Sequence, residues 1–298
     1  MRRNFFFALV MLVTIVVSTA DVAAQDHKPD AGYPPVALMD TEVRRLQAPA
    51  IDGMEYLLFV SLPEGYATSQ ADYPVVYQLD AWDEFGMLAQ AHRWQMRAGL
   101  VRPSILVGIA HEGDFSDYMF NRARDFMPTF VPQDSMPAWM RYVVPTSGGG
   151  PAFLRFLTEE LIPFVESEYR VDPAGRFLIG QSAGGLFATW VMFSEPGLFT
   201  GFGILSPAIF WDDWTVLGDE QAYAETHDDL PATVFLAVGG EEAGIFTAGF
   251  DRLIEALESR AYPSLHLTTH SFPNEEHVSV IPAAFSRALR VLLAKPPG

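Results

Sequence analysis

The sequence predicts an α/β protein with a mostly parallel central sheet that is flanked by helices on both faces. Short runs of nearly continuous apolar residues recur along the chain, as in strands that are buried on both faces. Between these runs lie stretches with apolar side chains at helical spacing. This alternation favours right-handed crossovers between parallel strands. With 298 residues, 49% of them apolar, the chain is long enough to bury one large core.

The first 24 residues predict a secretory signal peptide. Arg2 and Arg3 precede an apolar run over residues 5–17, and small side chains over residues 22–24 suit signal-peptidase cleavage. The run is shorter than the roughly 20 residues that a membrane-spanning helix needs. We therefore expect export to the periplasm or the medium, and no stable membrane anchor.

Residues 25–50 contain scattered Pro and Asp without a period, and they predict an N-terminal arm. Residues 51–298 then predict a single α/β domain, because no linker or repeat divides them. The predicted strands cover 55–62, 73–79, 104–110, 176–180, 202–205, 233–238 and 265–270, of which the first is expected to be antiparallel. The predicted helices cover 151–169, 186–193, 246–257 and 281–293. The span 112–150 is too long for an ordinary connection, and we expect it to form part of a site wall.

Composition excludes several classes of function. The formal charge is −18, whereas nucleic-acid binding depends on Lys and Arg that neutralise phosphates. The absence of cysteine excludes disulfides, thiolate zinc sites and a cysteine nucleophile. His92, His111 and His227 have no second ligand at metal spacing, so we predict neither a metal nor a cofactor.

The pentapeptide Gly180-Gln181-Ser182-Ala183-Gly184 follows a predicted strand and precedes a predicted helix. A G-x-S-x-G sequence at such a junction is typical of a nucleophile elbow, in which glycines allow a tight turn that exposes the serine hydroxyl. Ser182 is therefore the candidate nucleophile. The amide of Ala183, at the start of the helix, is a candidate oxyanion donor. The alternative is a glycine-rich turn whose serine only caps the helix.

A serine nucleophile needs a base, and the base needs a group that fixes its tautomer. Glu241 and Glu242 follow a predicted strand, and either can be the acid; Glu242 is preferred because Gly239 permits the chain to bend back. The alternative is a solvated pair at a helix start. His277 lies in a predicted loop after the last strand and is the candidate base, whereas His270 is expected within that strand.

The loop after the predicted strand 73–79 is expected to provide the second oxyanion donor, from the amide of Ala81 or of its neighbour. The ring of Trp82 would then line the substrate pocket. Tyr118, Phe210 and Trp211 would suit an aromatic or acyl group. The alternative for these aromatic residues is ordinary core packing.

Several segments between about residues 73 and 293 resemble those of one family. They are YPVVYQLDAW, RARDFMPT, SGGGPAF, FLTEELIPFVESEYRVD, LIGQSAGG, LSPAIFWDD, AVGGEE and EEHVSVIPAAF. In this order they are similar to serine esterases of the esterase D type, which have the α/β-hydrolase fold and include ferric-siderophore trilactone esterases. The resemblance implies Ser182 as nucleophile, His277 as base and Glu242 as acid. The chain differs at Ala81, where many relatives have glycine.

These observations predict an exported serine hydrolase that cleaves a small-molecule carboxylic ester of siderophore, aromatic or acyl type through an acyl-enzyme. The alternatives are an acyltransferase with the same triad and a noncatalytic binding protein. Without its leader the chain has a charge of −19, which would repel anionic ferric catecholates unless Arg97, Arg122 or Arg124 forms a positive patch. A neutral or unspecified carboxylic ester is therefore favoured. The sequence makes no prediction of oligomeric state.

Overall fold

The computed structural model describes residues 37–295. The predicted signal peptide lies outside these residues and stays a prediction. The described strands form one eight-stranded sheet in the order β1-β2-β4-β3-β5-β6-β7-β8. The strands are β1 (Thr41–Ala48), β2 (Met54–Ser61), β3 (Tyr73–Gln78), β4 (Ile105–His111), β5 (Val171–Gln181), β6 (Gly201–Leu205), β7 (Thr233–Gly239) and β8 (His266–Phe272).

Strands β1 and β2 pair antiparallel, as do β2 and β4, whereas all pairings from β4 through β8 are parallel. The described helices are α1 (Ala81–Arg97), α2 (Phe115–Phe126), α3 (Ala138–Val143), α4 (Gly150–Phe156), α5 (Ile162–Glu168), α6 (Ala183–Ser194), α7 (Trp211–Ala224), α8 (Gly244–Arg260) and α9 (Ile281–Leu292). Within residues 37–295 no helix has the length and apolar character to cross a membrane.

Helices cover the sheet in two groups. Helices α1 and α9 contact each other, and α9 also lies on β6 and β7. Helix α6 lies on β5 and β6, and it contacts α2 and α7. All residues of β3, β4 and β6 are buried, which explains their nearly continuous apolar sequences. The predicted seven strands and the mostly parallel sheet are confirmed.

The predicted irregular arm over residues 25–50 is corrected in its last part, because Thr41–Ala48 forms the edge strand β1. Most of this strand is exposed or half-buried, so its sequence carries no apolar alternation. Its backbone pairs with β2, and Arg45 forms ion pairs with Glu55 and Glu112. An edge strand with two polar faces gives little periodic signal.

The span 112–150 is also more regular than expected, since it contains helices α2 and α3. Helix α2 begins with a capping box: the Asp114 side chain accepts hydrogen bonds from the amides of Ser116 and Asp117, at 2.8 and 3.1 Å. The Asp117 side chain accepts one from the amide of Asp114 at 3.1 Å. This cap satisfies amides that the first helical turn leaves without partners. Helices α1 and α7 were also absent from the predicted helical segments.

The predicted helix 151–169 is present, but it is interrupted by a π-helical turn over Leu157–Leu161. Pro163 follows this turn at the start of α5. Because proline has no amide hydrogen, it cannot make the ordinary i to i−4 bond, and the widened turn accommodates the missing donor.

A buried polar cluster fixes α2 to the sheet. The Asp125 carboxylate accepts hydrogen bonds from the Tyr56 hydroxyl at 2.6 Å and pairs with His111 Nε2 at 2.8 Å. Arg124 donates to both oxygens of the same carboxylate, at 2.7 and 3.0 Å. Asp125 is fully buried, so these donors offset the cost of removing its charge from water.

Candidate active site

The connections that follow β3, β5, β6, β7 and β8 lie at one edge of the sheet, because parallel strands end on the same side. In chain order they carry Ala81, Ser182, Ser206, Glu242 and His277. Four of these residues were predicted from the sequence. Ser206 was not predicted, and its only signal was a serine directly after a short buried strand.

The turn at Ser182 has the geometry of a nucleophile elbow. Ser182 lies between β5 and α6 with φ 57° and ψ −112°, a left-handed conformation that L-residues rarely adopt. A Cβ atom at Gly180 would overlap the backbone carbonyl of Gly184, so only glycine permits the strand and helix to approach this closely. Ser182 is half-buried, so the residue at this turn keeps some contact with solvent.

The structure brings His277 and Glu242 together. His277 Nδ1 lies 2.6 Å from Glu242 Oε2. The Glu242 side chain is 0% exposed, whereas that of His277 is 24% exposed. Since a carboxylate only accepts hydrogen bonds, the neutral imidazole carries its proton on Nδ1 and leaves Nε2 as an acceptor.

Glu242 is held in its charged form by several donors. Its second oxygen, Oε1, accepts a hydrogen bond from Ser206 Oγ at 2.5 Å and one from the Gly239 amide at 2.6 Å. Burial alone would raise the pKa of Glu242, but the hydrogen bond and charge of His277, together with these two donors, hold that pKa below its ordinary value. The carboxylate is therefore ionised at neutral pH.

Glu241, the alternative acid, lies elsewhere. Its side chain is exposed, and its amide donates to the carbonyl of Glu275 at 2.9 Å. A Cβ atom at Gly239 would overlap the same carbonyl, so this glycine permits the chain after β7 to pass close to the His277 loop. This close passage turns Glu242, and not Glu241, toward His277.

Gln181 makes a second contact with the base. Its Nε2 atom donates to the His277 carbonyl at 3.1 Å and lies 3.2 Å from His277 Nε2. Within the described part of the chain, no hydrogen bond joins the Ser182 hydroxyl to His277. The Gln181 amide therefore occupies the acceptor that a serine nucleophile would use.

The two predicted oxyanion donors each begin a helix. Ala183 is the first residue of α6 and Ala81 the first residue of α1. Amides in the first helical turn have no partner within the helix, and the helix dipole favours negative charge at this end. A Cβ atom at Gly184 would lie 3.2 Å from Asp80 Oδ2, so the two helix starts are close together.

Asp80 fixes the turn before Ala81. It has φ 57°, and its buried carboxylate accepts hydrogen bonds from Arg122 Nε at 2.7 Å and Nη2 at 2.8 Å. The Tyr118 hydroxyl donates to the same carboxylate at 2.8 Å. Burial and the charge of Asp80 raise the pKa of Tyr118, which keeps this hydroxyl protonated.

The predicted pocket residues differ in their exposure. Trp82 is half-buried, and its ring stacks on Tyr118 at a centroid distance of 5.1 Å. Tyr118 is only 7% exposed, so it supports Trp82 and has little surface for a ligand. Trp211 is 3% exposed, belongs to the core, and donates its indole N–H to Thr129 Oγ1 at 3.0 Å. Trp211 therefore offers little surface to a ligand, and its assignment to the substrate pocket stays a prediction.

A different aromatic residue contacts the base. The ring centroid of Phe246 lies 4.2 Å from that of His277, and Phe210 lies 5.0 Å from Phe246 in an edge-to-face contact. Trp139, which is 49% exposed, lies 6.4 Å from Phe210. These rings form an aromatic wall beside His277. Sequence reasoning missed Phe246 because its helical period also fits core packing.

The three arginines considered for a positive patch are all engaged with carboxylates. Arg122 pairs with Asp80 at 2.7 Å and Arg124 with Asp125 at 2.7 Å. Arg97 pairs with Glu64 at 2.9 Å on the surface. Each arginine charge is therefore opposed by a neighbouring carboxylate.

A mostly parallel eight-stranded sheet with a serine elbow between β5 and α6 defines the α/β-hydrolase fold, and the predicted fold class is confirmed. The crystal structure of BES protein from Bacillus cereus is similar, with a TM-score of 0.79 and 27% identity, over 88% of this chain and 99% of that chain. An IroE-like serine hydrolase from Shewanella oneidensis has a TM-score of 0.74 and 26% identity, over 85% of this chain and 80% of that chain.

The chain belongs to the Esterase family, described as "Putative esterase", whose model matches residues 50–245. It is 32% identical to the ferri-bacillibactin esterase BesA of Bacillus subtilis, over 85% of this chain and 89% of that protein. It is 29% identical to a siderophore triacetylfusarinine C esterase of Aspergillus fumigatus, over 60% of this chain and 62% of that protein. The predicted family and the predicted enzyme class, an ester hydrolase, are confirmed.

The elbow predicts a strict requirement for glycine at position 180. We expect Gly180→Ala to reduce the free energy of unfolding by about 2 kcal/mol or more, because its Cβ would displace the Gly184 carbonyl. Gly218→Ala is a matched control, since a Cβ there meets open space within α7. Urea denaturation of the two variants measures the difference. Equal stability of both variants would contradict the close approach of β5 and α6.

Proposed function

We propose that the chain hydrolyses a neutral carboxylic ester through a Ser182–His277–Glu242 triad and an acyl-enzyme. The observation that carries this proposal is the 2.6 Å contact between His277 Nδ1 and the buried carboxylate of Glu242, at the same edge of the sheet as a serine with φ 57°. This contact leaves His277 Nε2 free of its own proton and able to accept one. Membership of an esterase family supports the same reaction.

In the proposed reaction, the Ser182 hydroxyl replaces the Gln181 amide as the hydrogen-bond donor to His277 Nε2. Oγ attacks the ester carbonyl while its proton passes to Nε2, and the amides of Ala81 and Ala183 stabilise the oxyanion. The imidazolium then gives this proton to the leaving alcohol as the acyl-enzyme forms. Water repeats the sequence, releases the acid and restores Ser182.

The charges near the proposed site favour an uncharged substrate. The positive charges of Arg122 and Arg124 are opposed by Asp80 and Asp125, and the chain as a whole is acidic. The aromatic rings of Phe210 and Phe246 beside His277 provide an apolar surface for an aromatic or acyl group. BesA and the fungal relative are named for siderophore esters, so an ester of siderophore type in an uncharged form fits both observations.

The proposed nucleophile gives the most direct test. We expect Ser182→Ala to lower kcat for p-nitrophenyl acetate by about 10⁴-fold or more, because the variant lacks the hydroxyl that attacks the ester. The circular dichroism spectrum and thermal unfolding of the variant should match those of the original protein. A fluorophosphonate should label the original protein and not the variant. Retained hydrolysis by a folded Ser182→Ala protein would rule out the triad.

The paired glutamates provide a matched comparison for the acid. We expect Glu242→Gln to lower kcat by about 10³- to 10⁴-fold, because an amide neither fixes the Nδ1–H tautomer nor stabilises the imidazolium. Glu241→Gln removes one negative charge at the neighbouring, exposed position and should retain kcat within about twofold. Steady-state kinetics of both variants distinguish the roles, and a larger loss for Glu241→Gln would reverse the assignment.

A pair of esters with the same aromatic ring tests the substrate charge. We expect kcat/KM for methyl 4-acetoxybenzoate to exceed that for 4-acetoxybenzoate by about 10-fold at low salt, because the second ester carries a carboxylate. The ratio should shrink as ionic strength rises, since salt screens charge over about 8 Å at physiological strength. A higher kcat/KM for the anionic ester would contradict the preference for a neutral substrate.

A further inference from the structure

The four residues Leu205-Ser206-Pro207-Ala208, here called the β6 connection, touch both the elbow and the acid. The Ser182 amide donates to the Leu205 carbonyl at 2.9 Å, and the Ala208 amide donates to the Ser182 carbonyl at 3.0 Å. Between these two contacts, Ser206 Oγ donates to Glu242 Oε1 at 2.5 Å. The β6 connection therefore holds the backbone of the nucleophile at two points and the carboxylate of the acid at a third.

Ser206 occupies a site that restricts its movement. It is 1% exposed, and its amide donates to the carbonyl of Ala237 on β7 at 2.7 Å. Its φ of 43° lies in the left-handed region, where a non-glycine residue carries a conformational cost. Glycine would adopt this φ without that cost, but it would lack the hydroxyl that reaches Glu242.

The two donors to Glu242 Oε1 hold it relative to different parts of the fold. The Gly239 amide belongs to the same segment as Glu242, three residues earlier, so it orients the carboxylate only with respect to the end of β7. Ser206 belongs to the neighbouring connection, which is bonded to the Ser182 backbone. Of these two donors, only Ser206 therefore links the position of the acid to that of the nucleophile.

We propose that Ser206 is a positioning residue that fixes the Glu242 carboxylate relative to the Ser182 elbow, so that Oε2 remains directed at His277. This inference rests on the proposed triad. With Oε1 occupied by Ser206 and Gly239, rotation of the carboxylate would break two hydrogen bonds, and the imidazole would lose its partner on Nδ1. Ser206 contacts neither the substrate nor the reacting atoms in this arrangement.

The experiment compares Ser206→Ala and Ser206→Gly with Ser104→Ala. Ser104 is a matched control because its buried hydroxyl also contacts a histidine, with 2.6 Å between Ser104 Oγ and His92 Nε2. Neither residue belongs to the proposed triad, and His92 lies in the second half of α1, whereas Ala81 begins that helix. We expect both Ser206 variants to lower kcat for p-nitrophenyl acetate by about 10- to 100-fold, with KM within about twofold. We expect Ser104→Ala to keep kcat within about twofold of the original protein.

Two further measurements separate positioning from general stability. The downfield proton NMR signal of the His277 Nδ1–H group, assigned by its absence in His277→Ala, should shift or broaden in both Ser206 variants and remain in Ser104→Ala. In a Glu242→Gln background, Ser206→Ala should lower kcat by no more than about twofold, because the carboxylate that it positions is already absent. Ser206→Cys, which is close in size but a weak donor, should give an intermediate loss of kcat and serves if the other variants do not fold.

Several results would overturn the positioning role. Unchanged kcat in folded Ser206→Ala, or normal kcat in Ser206→Gly with a loss only in Ser206→Ala, would show that the hydroxyl is not required. Full additivity with Glu242→Gln would show that Ser206 acts elsewhere. An active Ser182→Ala protein would show that the triad itself is wrong. An inactive Ser182→Ala protein together with an unaffected Ser206→Ala protein would overturn only the role of Ser206.

Discussion

The close contact between β5 and the first turn of α6 is the constraint on which the rest of the site depends. A Cβ atom at Gly180 would overlap the Gly184 carbonyl, and Ser182 between these two glycines has φ 57°. A Cβ atom at Gly185 would lie 2.9 Å from the Leu205 carbonyl oxygen, so the same turn also packs tightly against the end of β6. Backbone contacts with β5 and β6 thus fix the elbow, independently of the catalytic side chains.

The order of the strands in the sheet then sets the distance from Glu242 and from His277 to the elbow after β5. Neighbouring strands lie about 4.8 Å apart, so β7 is about 10 Å from β5, and β8 is about 14 Å from it. After β7 the chain turns back toward β5, and this turn brings Glu242 closer to the elbow. His277 lies in the segment between β8 and α9, which extends back in the same direction. The contact between His277 and Glu242 is the point at which these two returning segments meet.

The strand pattern was predictable because the inner strands are buried on both faces and need apolar residues at nearly every position. The elbow was predictable because its glycines are required by backbone contact, as the overlap at Gly180 shows. The edge strand Thr41–Ala48 was missed because exposure removes that apolar requirement. Helix α2 was missed although Asp114 and Asp117 carry the signature of a capping box.

Side-chain roles that depend on contacts between residues far apart in the chain could not be predicted from the sequence. Trp211 and Phe210 are neighbours in the chain, yet the first points into the core and the second toward the wall beside His277. Ser206 is one of many serines, and only the left-handed turn after β6 directs its hydroxyl at Glu242. The directions of these side chains depend on how the connections pack at the sheet edge. The periodicity of the local sequence does not predict this packing.

The buried charged residues affect both the stability of the fold and the charge that a substrate meets. Asp80 and Asp125 stabilise the turn before Ala81 and the position of α2, and burial requires that each be paired. The arginines that meet this requirement, Arg122 and Arg124, come from the same helix. Because their charges are already balanced by buried carboxylates, they offer little net attraction to an anionic ligand. Membership of the esterase family therefore establishes the type of reaction, whereas selectivity among esters depends on the residues that surround the nucleophile in this chain.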